Sequence, residues 1–364
     1  MTFLKSRMFQ LSMLLMVVAL GLHVLSDWTF LTPRNLTNIA RQVSINGILA
    51  IGMTYVILLG GIDLSVGSVV ALAGVVAGLV QTSGWFSEGL SAVIAVFSAL
   101  FVGGFLGALT GTVVTRFRIA PFIITLGVMV IARGLALIFS NGAAIAPLTE
   151  TYTTIGSAYI PGMWAMALLS VPLIWRMYLV RSSVMRVSAL FVSIAFLAWV
   201  LLGYRGLPVP ALILMCVASV GVWVLNRTRW GRFVLATGGN ERAAVLAGVP
   251  VRSVHFWVYV VMGLLSGVGA VILSSRLNGA LPTAGQLFEL DAIAAVVIGG
   301  TSLQGGKGTI AGSIVGALFI GVMNNGMSLL AVPEFYQMVI KGVLIVCAVL
   351  WDQASASKRL VAST

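Results

Sequence analysis

The chain has 364 residues, of which 60% are hydrophobic and only 8% are charged, with a formal net charge of +12. A soluble protein of this length carries about 25% charged residues to keep its surface hydrated, so lipid is the solvent for most of this chain. The excess of base does not point to nucleic acid, because the cations sit in short loops and not in one patch, the pattern of membrane topology determinants.

The first apolar block, FQLSMLLMVVALGLHVL behind Lys5 and Arg7, has the outline of a signal peptide. The residues after it, SDWTFLTPRN, offer no small-x-small cleavage site, and the block reads as a retained first span at 8–25. Blocks long enough to cross a hydrocarbon core of about 30 Å follow at 44–60, 65–82, 90–114, 121–140, 162–180, 187–203, 208–225, 254–275, 287–300, 308–331 and 335–351. The block at 65–82 is rich in small residues and that at 287–300 is short, so either can be a broken or re-entrant piece. The expected fold is all-α: a polytopic transmembrane bundle of about 10–12 spans forming one integral-membrane domain over residues 1–364.

Alternation from a cytoplasmic N-terminus puts TRFR, WRMYLVRSSVMR, NRTRWGR and the C-terminal KR on the inside. Fifteen Lys and Arg then lie inside, four outside (Arg34, Arg41, Arg205, Arg276) and two within spans, as the positive-inside rule requires. Both termini are expected in the cytoplasm of a bacterial plasma membrane. Cys216 and Cys347 lie inside apolar blocks, with neither a disulfide framework nor metal-ligand spacing.

One internal echo interrupts the spans. GGIDLSVG at Gly60–Gly67 resembles GGTSLQGG at Gly299–Gly306, and each follows an apolar run and precedes a small-residue helix. ARGLALI at 132–138 is likewise echoed by IKGVLIV at 340–346. Glycine-interrupted segments in two halves mark a transport pathway, and the halves are placed at about 44–140 and 287–351, their relative orientation left open. The alternative is that glycine pairs recur by chance in membrane helices.

Candidate chemistry is sparse. GGKGT at 305–309 is not a phosphate loop, which needs Gly, four residues, then Gly-Lys-Ser/Thr; position 301 is Thr, and Lys307 is followed by Gly308. No cofactor is expected on this chain, and the two histidines, His23 and His255, lie near span ends. Ionisable groups at membrane depth usually face a cavity or a partner, and Asp63, Arg133, Glu289, Asp291 and Lys341 are the candidates. Asp63 is expected to cap the helix after it, with a proton relay as the alternative. Ser65, Ser68, Thr301, Ser302, Gln304, Asn324 and Asn325 supply the hydroxyls and amides that suit a sugar pathway with Asp63. Any one of them can equally serve as interhelical glue.

TGGNERAAVLAGVP at 237–250 is a polar island between two long apolar stretches. Asn240 suits an N-cap, Glu241 the positive end of a helix dipole, and Gly248 the left-handed position after the last turn, with Pro250 ending the run. A two-turn helix at 238–250 is predicted. So short a helix is marginal alone, which leaves two readings open: a loop helix packed on the bundle, or a docking element.

ERAAVLAG resembles the EAA-type loop of ATP-binding cassette importer permeases, with Glu241, Ala243 and Gly248 fitting Glu-x-Ala and the trailing glycine. GGIDLSVGS, TLGVMVIARG, ATGGNERAAVLAGV and ELDAIAAVVIGGTSLQGGKGTIAG together look like the ribose/xylose-type branch, and the likeness runs from FLTPRNLTNIARQ at 30–42 to VLWD at 349–352. The extra central spans at 162–203, YRGLPVPALIL and NNGMSLLAVPEFYQMVIKG are similar to D-xylose permeases, whereas LLGGIDLS, with Gly60 and Gly61, is closer to the ribose type.

The resemblance implies a non-catalytic translocation subunit importing a monosaccharide, D-xylose first among the sugars. A second permease copy would complete the pathway in the lipid bilayer. A cytoplasmic sugar-importer ATPase, holding the ATP and Mg, would dock through Asn240, Glu241, Arg242, Ala243 and Gly248, and a periplasmic or lipid-anchored sugar-binding protein would deliver the ligand. The rival reading is a proton-coupled secondary sugar transporter relying on Asp63 or Asp291.

Overall fold

The computed structural model describes residues 7–179 and 184–361, with side chains described at 10–171, 193–347, 349 and 350. In chain order the helices are α1 (Arg7–Leu25), α2 (Pro33–Leu58), α3 (Val66–Thr82), α4 (Glu88–Phe117), α5 (Pro121–Phe139), α6 (Glu150–Ser157), α7 (Gly162–Leu179) and α8 (Val184–Leu202). They continue as α9 (Val209–Arg227), α10 (Arg229–Gly239), α11 (Glu241–Leu246), α12 (Val251–Leu277), α13 (Phe288–Ile298), α14 (Ile310–Leu329) and α15 (Glu334–Val361). The strands described are β1 (Tyr159–Ile160) and β2 (Leu207–Pro208), an antiparallel pair bracketing α7 and α8. The fold is an all-α polytopic bundle.

Among the described residues, α2, α4, α5, α9, α12 and α14 are long and apolar enough to cross a membrane by length and composition. Gln10–Leu25, Val66–Thr82, Gly162–Val171 and Ser193–Leu202 are shorter apolar helices. The loop WRMYLVRSSVMR at 175–186 lies outside the described side chains, and its residues 180–183 lie outside the described residues.

The helix α2 is the axis of the bundle. Thr32 caps it by accepting the Asn35 N–H, with Pro33 in the first turn where its missing N–H costs nothing. Every residue from Val43 to Leu58 is buried, against α12, α13, α14 and α9. Across from it, α4 and α12 run antiparallel with Gly103 on Gly263 and Gly107 on Tyr259. A side chain at either α4 glycine would collide with an α12 carbonyl. In lipid, helices associate through such close small-residue packing, because burying apolar surface there brings little gain.

The bundle is interrupted twice, where the glycine pairs predicted it. α2 ends at Leu58 and the chain turns at Gly60, at φ 74°, before an extended stretch leads to α3; α13 ends at Ile298 and turns at Gly300, at φ 96°. Such positive φ is open to glycine at little cost. The segment before α13 is irregular too. It runs alongside α3 in reverse, from Ala280 beside Gly78 to Gly285 beside Gly67, and α13 continues its direction. The starts of these two short helices therefore lie together inside the bundle.

Candidate functional site

At one end of the bundle three segments are knotted together. The Gly306 N–H donates to the Leu58 carbonyl at 2.9 Å, tying the α13–α14 loop to the last turn of α2. Gly238, at the end of α10, packs against the same carbonyl and against the Gly306 nitrogen, so closely that a Cβ there would overlap them. α10 is capped by Thr228, which accepts the Gly231 N–H at 3.1 Å, and its Trp230 ring lies 5.2 Å from Tyr55 of α2.

From this knot projects α11. Asn240 Oδ1 accepts the Ala243 N–H at 3.0 Å as its N-cap. At the other end Gly248, at φ 78°, donates to Val245 O at 3.0 Å while Val249 N–H donates to Ala244 O at 3.0 Å. This pair of bonds is a Schellman closure, so the helix is fixed at both ends by its own residues. Only Ala244 faces inward; Glu241, Arg242 and Ala243 are exposed, and so are Val245 and Leu246, at 56% and 89%. A cleft of about 910 Å³ separates α11 from the α4–α5 connection, lined by Arg118, Pro121, Glu241, Val245, Arg252 and His255. Two exposed aliphatics on a six-residue helix beside a cleft form a surface suited to a protein partner.

The expected pathway residues fall into three groups. Asp63 is buried at the α2–α3 break, where its Oδ1 accepts both the Ser65 N–H at 2.9 Å and the Ser65 hydroxyl at 2.6 Å. This is a local turn just ahead of α3 and not the helix cap expected of Asp63: Ser65 holds the N-cap position, with no side-chain cap bond. Ser68, one turn on, is buried and lines a separate cavity. Thr301, Ser302 and Gln304 lie in the knotted loop: Thr301 is fully buried with an unbonded hydroxyl, Ser302 Oγ accepts the Gln304 N–H at 3.3 Å, and Gln304 is exposed.

Asn324 and Asn325 belong to a third group, on α14. Asn325 Oδ1 accepts from Asn35 Nδ2 at 2.8 Å. Asn324 Nδ2 donates to Asp291 Oδ2 at 3.3 Å; that oxygen also receives Asn46 Nδ2 at 3.4 Å and Lys341 Nζ at 3.1 Å. Asp291 is thus a buried acceptor joining α2, α14 and α15 to the first turn of α13. Asn46 was not singled out from the sequence, since one asparagine within an apolar helix carries no local motif.

Residues 35–349 match the family described as "Branched-chain amino acid transport system / permease component". The chain belongs to this permease family. It is 40% identical over 332 residues to the ribose import permease protein RbsC of Bacillus subtilis (strain 168), covering 90% of this chain and 88% of the relative. It is 38% identical over 344 residues to RbsC of Escherichia coli (strain K12), covering 94% and 93%. It is 37% identical over 377 residues to the xylose transport system permease protein XylH of Haemophilus influenzae (strain ATCC 51907 / DSM 11121 / KW20 / Rd), covering 98% and 99%. No solved structure matches the chain. The permease thus falls in the branch containing ribose and xylose import permeases, as its motifs indicated, and both sugars stand among its relatives' names.

Proposed function

We propose that this permease is the membrane subunit of an ATP-driven importer carrying a monosaccharide, D-xylose or the related pentose D-ribose, from an extracytoplasmic binding protein into the cytoplasm. The observation that carries the reading is α11: a doubly capped helix with Val245 and Leu246 in the open, rooted where the ends of α2, α10 and α13 meet. A partner ATPase, holding ATP and Mg, grips this helix through Glu241, Arg242 and Leu246. The knot passes its movement to α2 and to the α13–α14 loop.

Orientation follows the cations. Arg116, Arg118, Arg227, Arg229, Arg232, Arg242, Arg252 and Lys307 lie at the α11 end, against Arg34, Arg41, Arg205 and Arg276 at the other, and the cation-rich end belongs in the cytoplasm of the bacterial inner membrane. The exposed apolar faces of α5 and α15 meet lipid and a second copy of the permease. The central pair α7 and α8, shared in sequence pattern with D-xylose permeases, favours xylose.

Proteoliposomes holding the permease, its ATPase and its binding protein test the proposal. Pentose uptake should follow ATP and persist when a protonophore collapses the proton gradient. Uptake that stops with the gradient while ATP is intact would establish the proton-coupled reading instead.

A further inference from the structure

Beside the starts of the two short helices lies an open-sided cavity of about 540 Å³ that the docking face does not use. Ser68 of α3, Met129 and Arg133 of α5, Gln286 and Glu289 at the entry to α13, and Met338 of α15 line it. The volume lies in the range of about 300–1,000 Å³ typical of small-molecule sites, and its place where interrupted helices meet is where transporters hold substrate.

Its polar groups are few and differently held. Arg133 Nη1 donates to Pro282 O at 2.7 Å and to Ala284 O at 2.8 Å, so the guanidinium is fixed while it steadies the irregular segment before α13. Glu289 has no ion pair: among the described residues the one salt bridge is Lys341–Asp291. A carboxylate at this depth costs several kcal/mol of solvation where partners are lacking, and the backbone N–H groups of Leu287 and Glu289 satisfy this one only in part. Hydroxyl donors of a polyol satisfy it without adding charge, and the nearby Arg133 balances its charge, so the pair favours a neutral ligand over an anion. Gln286 offers an amide that donates and accepts, Ser68 a hydroxyl, and the two methionines soft apolar surface for C–H faces.

We propose that this cavity is a pentose-contact site within the permease, with Glu289 and Gln286 accepting sugar hydroxyls, so that the membrane subunit itself recognises cargo. The inference rests on the sugar-importer reading and goes beyond it, since a pathway that merely lets sugar pass needs no such contacts.

Saturation-transfer NMR on the purified permease–ATPase complex, without binding protein, measures it with D-xylose and D-ribose as probes. Transfer to at least one pentose is expected. Glu289→Gln, which exchanges a charged acceptor for a neutral one, and Gln286→Leu, which removes an acceptor, should each weaken it by about tenfold, the scale of the charge assistance or the hydrogen bond lost. Gln286 is exposed and its side chain makes no hydrogen bond among the described residues, so Gln286→Leu assembles whatever becomes of Glu289→Gln. Absence of transfer in the wild type, or wild-type transfer in both variants, overturns the site. Uptake assayed in parallel keeps the two ideas apart: uptake intact without transfer rejects only the site, and absence of uptake of either pentose rejects the importer reading as well.

Discussion

Gly238 and Leu58, 180 residues apart in the chain, are packed so closely that no side chain fits between them: a Cβ on Gly238 would fall on the Leu58 carbonyl oxygen. That oxygen is simultaneously held by the Gly306 N–H. The root of α11, the end of α2 and the α13–α14 loop are therefore packed against one another at a single point, the contact through which the proposed importer would pass a pull on α11 to the bundle.

Gly238→Val is expected to break this knot. The variant should assemble with the ATPase through an unaltered α11 yet lose most sugar-stimulated ATP hydrolysis. Hydrolysis and copurification measured together check it. Full stimulation would show that the contact is not a transmission point.

The helix α11 depends on its two ends. Gly248→Pro removes the N–H donated to Val245 O and forces φ from 78° to about −65°, and Asn240→Ala removes the N-cap acceptor, worth about 1 kcal/mol. Both, and Glu241→Lys at the exposed face, should lower copurification of the ATPase. Unchanged binding in all three would remove α11 from the interface.

Asp291 separates a structural role from a transport one. Removing one partner of a buried ion pair leaves the other charge unmatched at about 3 kcal/mol or more, so Asp291→Leu should lower the melting temperature in detergent. Adding Lys341→Met should recover much of the loss. Equal destabilisation in single and double variants would mean that the salt bridge is incidental.

Asp63 distinguishes a local turn with Ser65 from a proton relay. Asparagine can still accept the Ser65 N–H and hydroxyl that Asp63 Oδ1 receives, so Asp63→Asn should retain ATP-driven uptake where Asp63→Ala loses it. Equal loss in both variants would point to a titrating carboxylate.

Much of this was legible in the residues. The breaks at Gly60 and Gly300, the Asn240 cap and the left-handed Gly248 announce themselves because glycine and capping residues act locally. α7 and α8 lie close to the spans expected at 162–180 and 187–203. Two helices are not evident in the sequence pattern: α6, whose ETYTTIGS has little apolar periodicity, and α10, which begins in the basic loop NRTRWGR and takes in Gly238 and Gly239, so that the short helix expected at 238–250 spans only Glu241–Leu246. The candidate pathway residues proved harder. Residues at the breaks looked like one set, but the loop with Thr301, Ser302 and Gln304 lies at the α11 end, while Arg133 and Glu289 come together through an irregular segment whose path no periodicity encodes. Both charges were visible as unusual at membrane depth; their shared cavity was not.

Leu246 offers the most direct test of the central claim. With Cys216 and Cys347 replaced by alanine, Leu246→Cys places a thiol at the tip of α11. The account expects no reaction with a membrane-impermeant maleimide added to intact cells, labelling in inside-out vesicles stripped of the ATPase, and protection when the ATPase is restored. Labelling of intact cells, or labelling that the ATPase leaves unchanged, would contradict it.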